Sequence, residues 1–292
     1  MSKGNKKVVV IGGSGFMGSH TADELSNRGY QVTIFDKKKS KWINKSQKMV
    51  IGDIFDPKEL LKVTKNADFV YHFAGVADIL ASKEDPINTI NTNIIGTSLV
   101  LEAAIKNNVK RFIMASTLYV YSPHGSFYRA SKQASEILTE TFNKEYNINF
   151  TFLRYGSLYG PRAQEWNGLQ KYVTEIINNK NITYNGDGSE KREYIHALDA
   201  ARISVDILDD LYKNKAVTIT GQQILSSGQV LEMIFEICGI KKKIKFKNNI
   251  NPDHYSSTPY RYIPKSSIKI TPNEYKDIGE GILEMIESIK NE

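Results

Sequence analysis

A glycine-rich segment near the start of the chain constrains the fold more than any other feature. An apolar, β-branched run at residues 7–11 precedes it, and a helical stretch from His20 to Arg28 follows. Its glycines, Gly12, Gly15 and Gly18, occur at every third position. This spacing allows a tight turn, a close approach of backbone to a pyrophosphate, and close packing of the helix on the strand. The segment therefore predicts the first strand–loop–helix unit of a dinucleotide-binding fold, with phosphates at the helix N-terminus.

An acidic residue ends the second predicted strand. Residues 31–35 form a β-prone run, and Asp36 follows it directly. An acid at this place, about 20 residues beyond the glycines, can accept hydrogen bonds from ribose hydroxyls and repels a 2′-phosphate. We therefore predict NAD rather than NADP, although the lysines that begin at Lys37 could serve a phosphate. The alternative for Asp36 is an ordinary turn acid at a strand end.

Strands and helices alternate through the first half of the chain. Strand-like runs lie near residues 50–54, 67–75 and 111–115, and a helix over about 93–107 separates the last two. This order predicts an α/β fold, a Rossmann-type doubly wound parallel sheet whose strands bind ligands at their carboxyl ends.

The pattern becomes less regular beyond Gly160. We assign residues 1–160 and about 191–212 to the NAD-binding domain, and about 161–190 and 213–292 to a smaller C-terminal α/β substrate lobe. Within the lobe, Lys241 to Phe246 alternates like a strand, and Thr271 to Ile289 has the apolar spacing of an amphipathic helix.

Composition argues against several classes of function. The 292 residues carry a net charge of +7, but the lysines are scattered and do not alternate with aromatic residues, so we expect no nucleic-acid partner. The sequence has no run of about 18 apolar residues and no signal-peptide pattern at its start, so we expect no membrane association. We expect no metal, because no His/Cys/Asp cluster has metal-ligand spacing. The single cysteine, Cys238, excludes an internal disulfide and fits a cytoplasmic protein.

Tyr128 and Lys132 lie four residues apart at the start of a helix-prone stretch. This spacing places both side chains on one helix face. A nearby ammonium favours the ionised phenol, so the Tyr could take a proton from an alcohol, and return it, near neutral pH. The alternative is a chance occurrence, because the same spacing is present in many sequences.

Further motifs occur in a fixed order along the chain. They are Gly52-Asp53-Ile54, His72-Phe73-Ala74-Gly75, Asn93-Ile94-Ile95-Gly96-Thr97, Ala115-Ser116-Thr117-Leu118-Tyr119-Val120-Tyr121, Arg154-Tyr155-Gly156-Ser157-Leu158-Tyr159-Gly160-Pro161-Arg162, and Gly186-Asp187-Gly188 followed by Arg192-Glu193-Tyr194-Ile195-His196. Together with the glycine segment, Asp36 and the Tyr128–Lys132 pair, they resemble the extended short-chain dehydrogenase/reductase family over nearly the whole chain. Within that family, the resemblance is to the nucleotide-sugar epimerases and dehydratases, the UDP-glucose 4-epimerase-like group.

The resemblance implies a catalytic role for three side chains. Thr117 would hydrogen-bond the reacting sugar hydroxyl, and Tyr128 would be the acid/base. Lys132 would hold the nicotinamide ribose and lower the pKa of Tyr128. Ser116 is the weaker candidate for the hydroxyl role because it lies one position early, and Thr117 could also be a simple strand end.

The resemblance also implies where ligands bind. Asp53 would contact adenine, Phe73 to Gly75 would line the pyrophosphate and ribose, Tyr155 would pack near the nicotinamide, and Arg192 would grip the substrate diphosphate. The implied cofactor residues are Gly12, Gly15, Phe16, Met17, Gly18, Asp36, Lys37, Asp53, Ile54, Phe73, Ala74, Gly75, Asn93, Ala115, Ser116, Tyr128, Lys132 and Tyr155. The implied substrate residues are Thr117, Ser157 and Arg192. Alternatively, Phe73 and Tyr155 are core aromatic residues and Arg192 is a surface charge.

Departures from the family pattern fall in the sugar pocket. Dehydratases of the family have Asp-Glu after the catalytic Thr, whereas this chain has Leu118 and Tyr119, so a 4,6-dehydratase is disfavoured. Ser122 replaces a Gly, and Ser157 replaces an Asn that contacts substrate. The loop from Thr117 to Tyr128 is also shorter than in many relatives, so the resemblance does not specify the sugar.

The resulting hypothesis is an NAD-dependent epimerase of a nucleotide-diphosphate sugar, acting by transient oxidation, at C4, and hydride return. One alternative is an NAD(P)H-dependent reductase of a 4-keto nucleotide sugar. Another, disfavoured by intact Thr117, Tyr128 and Lys132, is a non-catalytic NAD(H)-binding protein. The resemblance further implies a homodimer through the helices near Asn93 and Tyr128.

Overall fold

A computed structural model describes residues 6–247, 253–259 and 268–291. Its β-strands are β1 (Lys7–Ile11), β2 (Gln31–Asp36), β3 (Gln47–Ile51), β4 (Phe69–His72), β5 (Arg111–Thr117), β6 (Phe150–Tyr155), β7 (Ser157–Tyr159), β8 (Ile182–Tyr184), β9 (Lys191–His196), β10 (Lys215–Ile219), β11 (Ile224–Ser226), β12 (Ile244–Phe246) and β13 (Ile268–Ile270). Its α-helices are α1 (Phe16–Asn27), α2 (Pro57–Thr64), α3 (Ile79–Glu84), α4 (Pro86–Ile90), α5 (Gly96–Lys106), α6 (Ser126–Tyr146), α7 (Gly168–Asn179), α8 (Ala197–Asp206), α9 (Ser227–Ile237) and α10 (Ile278–Lys290).

The main sheet is parallel throughout. Its strand order is β13-β10-β6-β5-β4-β1-β2-β3. The chain adds β2 and β3 on one side of β1 and then crosses over to add β4 and the later strands on the other side. Successive residues of β1 face opposite sides, so Val8 and Val10 enter one core while Val9 and Ile11 enter the other. The fold is therefore the predicted doubly wound Rossmann-type α/β fold.

Two layers of helices cover this sheet. Helices α1 and α8 contribute Leu25 and Ile203 to the first core, while α2 and α5 contribute Leu60 and Leu101 to the second. Burial on both faces explains why the strands are nearly continuous runs of branched apolar residues. No helix in these described ranges is long and apolar enough to cross a membrane.

A smaller assembly lies beyond the carboxyl edge of the sheet. A separate core joins α7, α9 and α10 with the paired strands β8 and β12. A third sheet, β11-β9-β7, connects this assembly to the end of β6. However, β10 and β13 fall within the range 213–292 that the sequence assigns to the substrate lobe, and both extend the main sheet instead. Residues 1–5, 248–252, 260–267 and 292 of the two assigned ranges lie outside the described residues.

Several predicted elements shift by a few residues. The third strand is β3 at Gln47–Ile51, so Gly52-Asp53-Ile54 follows a strand rather than forming one. The helix expected from residue 93 begins with a π-helical turn over Asn91–Ile95 and continues as α5. The terminal helix begins at Ile278, where the Asp277 side chain accepts a hydrogen bond from Gly279 N.

Candidate active site

The glycine segment forms a tight cradle at the carboxyl end of β1. Gly12 has φ of +79°, and a Cβ at this position would lie 2.4 Å from Ala74 N. A Cβ on Gly18 would lie 2.3 Å from Gly12 O, so the turn and the helix meet without room for a side chain. A Cβ on Gly15 would meet only Gly12 O, at 3.4 Å, and no side chain caps α1 at Gly15. An open, uncapped helix N-terminus beside glycine backbone fits the pyrophosphate of a dinucleotide.

Asp36 is tied to this cradle. Its carboxylate accepts hydrogen bonds from Ser14 N at 3.0 Å and from Lys38 N at 3.1 Å. The Lys37 ammonium lies 3.1 Å from the Asp53 carboxylate and over the Phe55 ring. Because Lys37 is paired with Asp53, the cation that could have served a 2′-phosphate is engaged by another acid, which favours NAD.

Three of the predicted cofactor residues are buried in the cores flanking the sheet. Phe16 and Met17 pack in the core under α1, and Ile54 packs in the opposite core. The Ile54 side chain also lies against Gly96, where a Cβ would come within 2.5 Å of Ile54 Cδ1.

Asn93 fastens the loop after β4 to helix α6. Its amide oxygen accepts a hydrogen bond from Val76 N at 2.8 Å, and its amide nitrogen donates to Val76 O and Ser131 Oγ, both at 2.9 Å. A Cβ on Gly75 would lie 2.8 Å from the Asn93 amide oxygen and 3.5 Å from Lys132 Nζ. Gly75 therefore keeps this loop close to the predicted catalytic lysine.

Thr117, Tyr128 and Lys132 come together where β5 ends and α6 begins. Thr117 is the last residue of β5, and its hydroxyl faces the Tyr128 hydroxyl. Burial raises the pKa of Tyr128 to about 12, and the interaction with Thr117 acts in the opposite direction. Burial also lowers the pKa of Lys132 to about 8, and its ammonium donates to Ala115 O at 3.0 Å.

Burial dominates the electrostatics of Tyr128. The net pKa of this phenol is raised, and the expected lowering of that pKa by Lys132 stays a prediction. The charge that most affects Lys132 itself is that of Glu136, one helical turn further along α6, which acts to raise the pKa of the lysine.

A buried ion pair lies beneath these groups, and the sequence reasoning missed it. The Arg154 guanidinium donates to both oxygens of Glu136, at 2.9 and 2.6 Å, and also to Tyr121 Oη at 2.5 Å. The Ser116 hydroxyl donates to Glu136 at 2.6 Å, so Ser116 belongs to this network rather than to the Thr117 pair. The available signal was the spacing of Tyr128, Lys132 and Glu136 at successive four-residue steps on one helix face.

The other wall of the site is aromatic. The Arg192 guanidinium lies 4.4 Å from the centre of the Tyr255 ring. Burial raises the pKa of Tyr255, and its interaction with Ser157 acts in the opposite direction. Tyr119 lies between Tyr255 and Tyr128, with ring centres 4.9 and 6.2 Å away. No spacing in the sequence links Tyr255 to the predicted site residues, so only the fold could identify it.

Two predicted aromatic residues pack with the core on one side of the sheet. The Tyr155 hydroxyl lies 2.6 Å from Ser204 Oγ on α8, and burial raises the pKa of Tyr155. The Phe73 ring is partly buried and stacks on Tyr71, with ring centres 6.2 Å apart. Their roles toward a cofactor stay predictions. Among the described residues, no cluster of three or more His, Cys, Asp or Glu side chains suits a metal ion.

Comparisons with known proteins agree with this geometry. A model of the NAD dependent epimerase/dehydratase family matches residues 8–219. A UDP-N-acetyl-alpha-D-glucosaminuronate decarboxylase of Bacillus cytotoxicus is 28% identical, with 82% of each chain covered. A putative UDP-glucose 4-epimerase of Methanocaldococcus jannaschii is 27% identical, with 80% of this chain and 83% of the relative covered.

Solved structures share the fold over almost the entire length. A UDP-glucose 4-epimerase from Thermotoga maritima, solved with UDP-glucose, superimposes with a TM-score of 0.86 at 24% identity, covering 98% of this chain and 99% of that one. The family match includes the glycine cradle, Asp36 and the Thr117–Tyr128–Lys132 group. The chain is therefore an enzyme of the NAD dependent epimerase/dehydratase family.

Proposed function

We propose that this enzyme epimerises a nucleotide-diphosphate sugar at C4. The observation that carries this proposal is the grouping of Thr117, the buried Tyr128 and Lys132, whose ammonium lies beside the loop that packs on the glycine cradle. Such a grouping can hold a sugar hydroxyl and move its proton. Epimerase relatives support the reaction type, since two of them are named a putative UDP-glucose 4-epimerase and a UDP-glucuronate 4-epimerase.

The residues after Thr117 argue against a dehydratase. Elimination of water needs an additional acid and base close to the sugar. Leu118 is buried and has no proton to exchange, and the Tyr119 hydroxyl is engaged with His254. This favours an epimerase, although relatives named dTDP-glucose 4,6-dehydratase also resemble the chain.

NAD, when bound, supplies reversible hydride acceptance at the sugar carbon. Thr117 orients the hydroxyl on that carbon, while Tyr128 accepts its proton and later returns it. With its pKa raised to about 12, Tyr128 holds a proton firmly and is suited to returning it. Formation of the phenolate needs a nearby positive charge, and Lys132 is placed one turn away to provide it.

The residues of the cradle would hold NAD through backbone groups and through one carboxylate. Backbone at Gly12, Gly15 and Gly18 would receive the pyrophosphate, and the Asp36 carboxylate would accept hydrogen bonds from ribose hydroxyls. Arg192 would bind the substrate diphosphate, since a guanidinium matches phosphate oxygens and the Tyr255 ring supports it from one side.

We also propose a homodimer in the cytoplasm. Large apolar side chains are exposed along the neighbouring helices α4 to α6, namely Ile87, Ile90, Ile95, Phe127 and Ile137. An apolar surface of this kind favours association with a second helix pair.

The cytoplasmic location is supported by the free thiol of Cys238, the one cysteine of the sequence.

The test is product formation without net redox change. Purified protein with NAD is incubated with UDP-glucose or dTDP-glucose, and the anomeric sugar signals are followed by nuclear magnetic resonance while nicotinamide absorbance is recorded. We expect a mixture of C4 epimers and constant absorbance. Stoichiometric consumption of NADH or NADPH on a 4-keto sugar would instead identify a reductase, and binding of NAD with no turnover of either sugar class would favour a non-catalytic protein.

A further inference from the structure

Tyr119 stands directly beside the proposed catalytic tyrosine. It lies two residues after Thr117, in a short 3-10 turn over Leu118–Tyr121. Its ring meets the Tyr128 ring edge-on, with centres 6.2 Å apart and planes at 66°. A sugar whose hydroxyl reached Thr117 and Tyr128 would therefore lie close to this ring.

The position of Tyr119 is fixed from several sides. Its hydroxyl lies 2.5 Å from His254 Nδ1, and its ring packs on Tyr255. Opposite these contacts, Gly125 has φ of +98°, and a Cβ there would lie 2.6 Å from Tyr119 Cδ1. The backbone before α6 is thus shaped around the ring, and a rotation of Tyr119 out of the site would break contacts with each of these neighbours.

The segment that holds Tyr119, residues 253–256, is itself anchored at both ends. At its start, Gly125 N donates to Asp253 O at 3.0 Å, and Lys83 pairs with the Asp253 carboxylate at 2.9 Å. At its end, Lys191 N, at the start of β9, donates to Ser256 O at 2.8 Å. His254 and Tyr255 lie between these anchors and are therefore presented to Tyr119 in a defined position.

We propose that Tyr119 is a specificity-determining residue, which admits sugars with a small, uncharged substituent beside the reacting carbon and disfavours those with a carboxylate. The inference rests on the proposed function and concerns the sugar rather than the reaction. The Tyr119 hydroxyl is occupied by His254, so the substituent meets aromatic carbon. A carboxylate placed there would lose hydration without gaining a donor from Tyr119, whereas an apolar or hydroxymethyl group would lose little.

The charges around this wall are consistent with that selection. Burial raises the pKa of Tyr119, and burial together with the charge of Arg192 lowers the pKa of His254. Both shifts favour a neutral phenol that is hydrogen-bonded to a neutral imidazole. Arg192, the cation stacked on Tyr255, is the residue proposed to hold the diphosphate of the same substrate.

The test compares NAD-loaded wild type with Tyr119→Ala and Tyr119→Phe. The substrates are UDP-glucose and UDP-glucuronic acid, and both kcat/KM and calorimetric affinity are measured. We expect wild type to prefer UDP-glucose by at least ~10-fold, Tyr119→Phe to retain that preference, and Tyr119→Ala to reduce it by ~10-fold or more. Tyr146→Ala, at an exposed tyrosine near the end of α6, is the matched control and should leave the ratio unchanged.

The outcomes separate this inference from the proposed function. An unchanged ratio in Tyr119→Ala, or a wild type that favours UDP-glucuronic acid, overturns the role of Tyr119. If wild type epimerises neither sugar, the proposed function fails, while the calorimetric affinities still show whether Tyr119 discriminates between the two ligands.

Discussion

The cofactor side and the sugar side of the active site are built in different ways. On the cofactor side, backbone meets backbone, as where Gly12 approaches Ala74, and the charges beneath are fully buried and paired, as in Glu136 and Arg154. On the sugar side, separate chain segments contribute single side chains, and His254 is partly exposed. The geometry of the cofactor side is set by the ends of the parallel strands. The geometry of the sugar side depends on contacts between side chains from segments that are distant in the sequence.

This difference has a functional consequence. Changes in the glycine cradle or in the buried ion pair should disturb folding, because backbone contacts and paired charges there are buried in the main domain. Changes on the sugar side should alter substrate affinity and selection while leaving the sheet intact, since their neighbours are mainly each other. The predictions below test that separation, beginning with the largest effect.

Replacing the proposed acid/base should abolish turnover without harming the fold. In Tyr128→Phe, the ring that packs on Tyr119 remains, but the hydroxyl that faces Thr117 is lost. We expect kcat to fall by a factor of ~10³, within the range for removal of a general acid–base group. Thermal unfolding and NAD affinity are measured on the same preparation and should change little. Turnover within a few-fold of wild type would remove Tyr128 from the chemistry.

Breaking the buried ion pair should destabilise the protein. Glu136→Gln leaves the Arg154 guanidinium in the core without its anionic partner, which typically costs about 3–5 kcal/mol of unfolding free energy. Denaturant unfolding measures the loss. Glu145→Gln, at an exposed position on the same helix, is the control and should change stability by less than ~0.5 kcal/mol.

An equal cost in both variants would mean that Glu136 is no more important to the fold than a surface acid. A second arm replaces both partners, as Glu136→Leu with Arg154→Met, and should recover part of the stability because no charge is left unpaired. If the double variant is as unstable as Glu136→Gln, the loss comes from packing rather than from the charge.

The two sides of the site also differed in how far the sequence could predict them. Short spacings in the sequence predicted the glycine cradle, Asp36 and the Tyr128–Lys132 pair. At a strand end or within a helix, the number of residues between two positions determines where their side chains lie relative to each other. Glu136 lies four residues after Lys132, so the same helical spacing could have predicted its place beside Lys132. The contacts of Tyr255 and His254 with Tyr119 could not be predicted in this way, because more than 130 residues separate them in the sequence. A motif also does not reveal that the Tyr155 hydroxyl points to Ser204, and the role of Tyr155 beside the nicotinamide stays a prediction.

Burial of Lys132 should appear in the pH dependence of stability. Its pKa falls from 10.5 to about 8 on folding, so the unfolded chain binds more protons between these values. Stability should therefore rise with pH above about 8, by on the order of 2 kcal/mol at pH ~9.5, and this contribution is lost as pH falls through 8. Lys132→Met should show a flatter profile in denaturant unfolding across the same range. Parallel profiles for the two proteins would show that Lys132 keeps its ordinary pKa.

The smallest effect is expected for a substitution on the sugar side that keeps the positive charge of Arg192 and changes only the shape of the side chain. Arg192→Lys retains a cation but loses the planar group that stacks on Tyr255 and could bind two phosphate oxygens at once. We expect KM for the nucleotide sugar to rise by ~10-fold, equivalent to about 1.4 kcal/mol, with kcat and NAD affinity nearly unchanged. Steady-state kinetics with a parallel NAD titration measures both. A comparable loss of NAD affinity would show that Arg192 serves the cofactor side as well, and the separation between the two sides of the site would then fail at this residue.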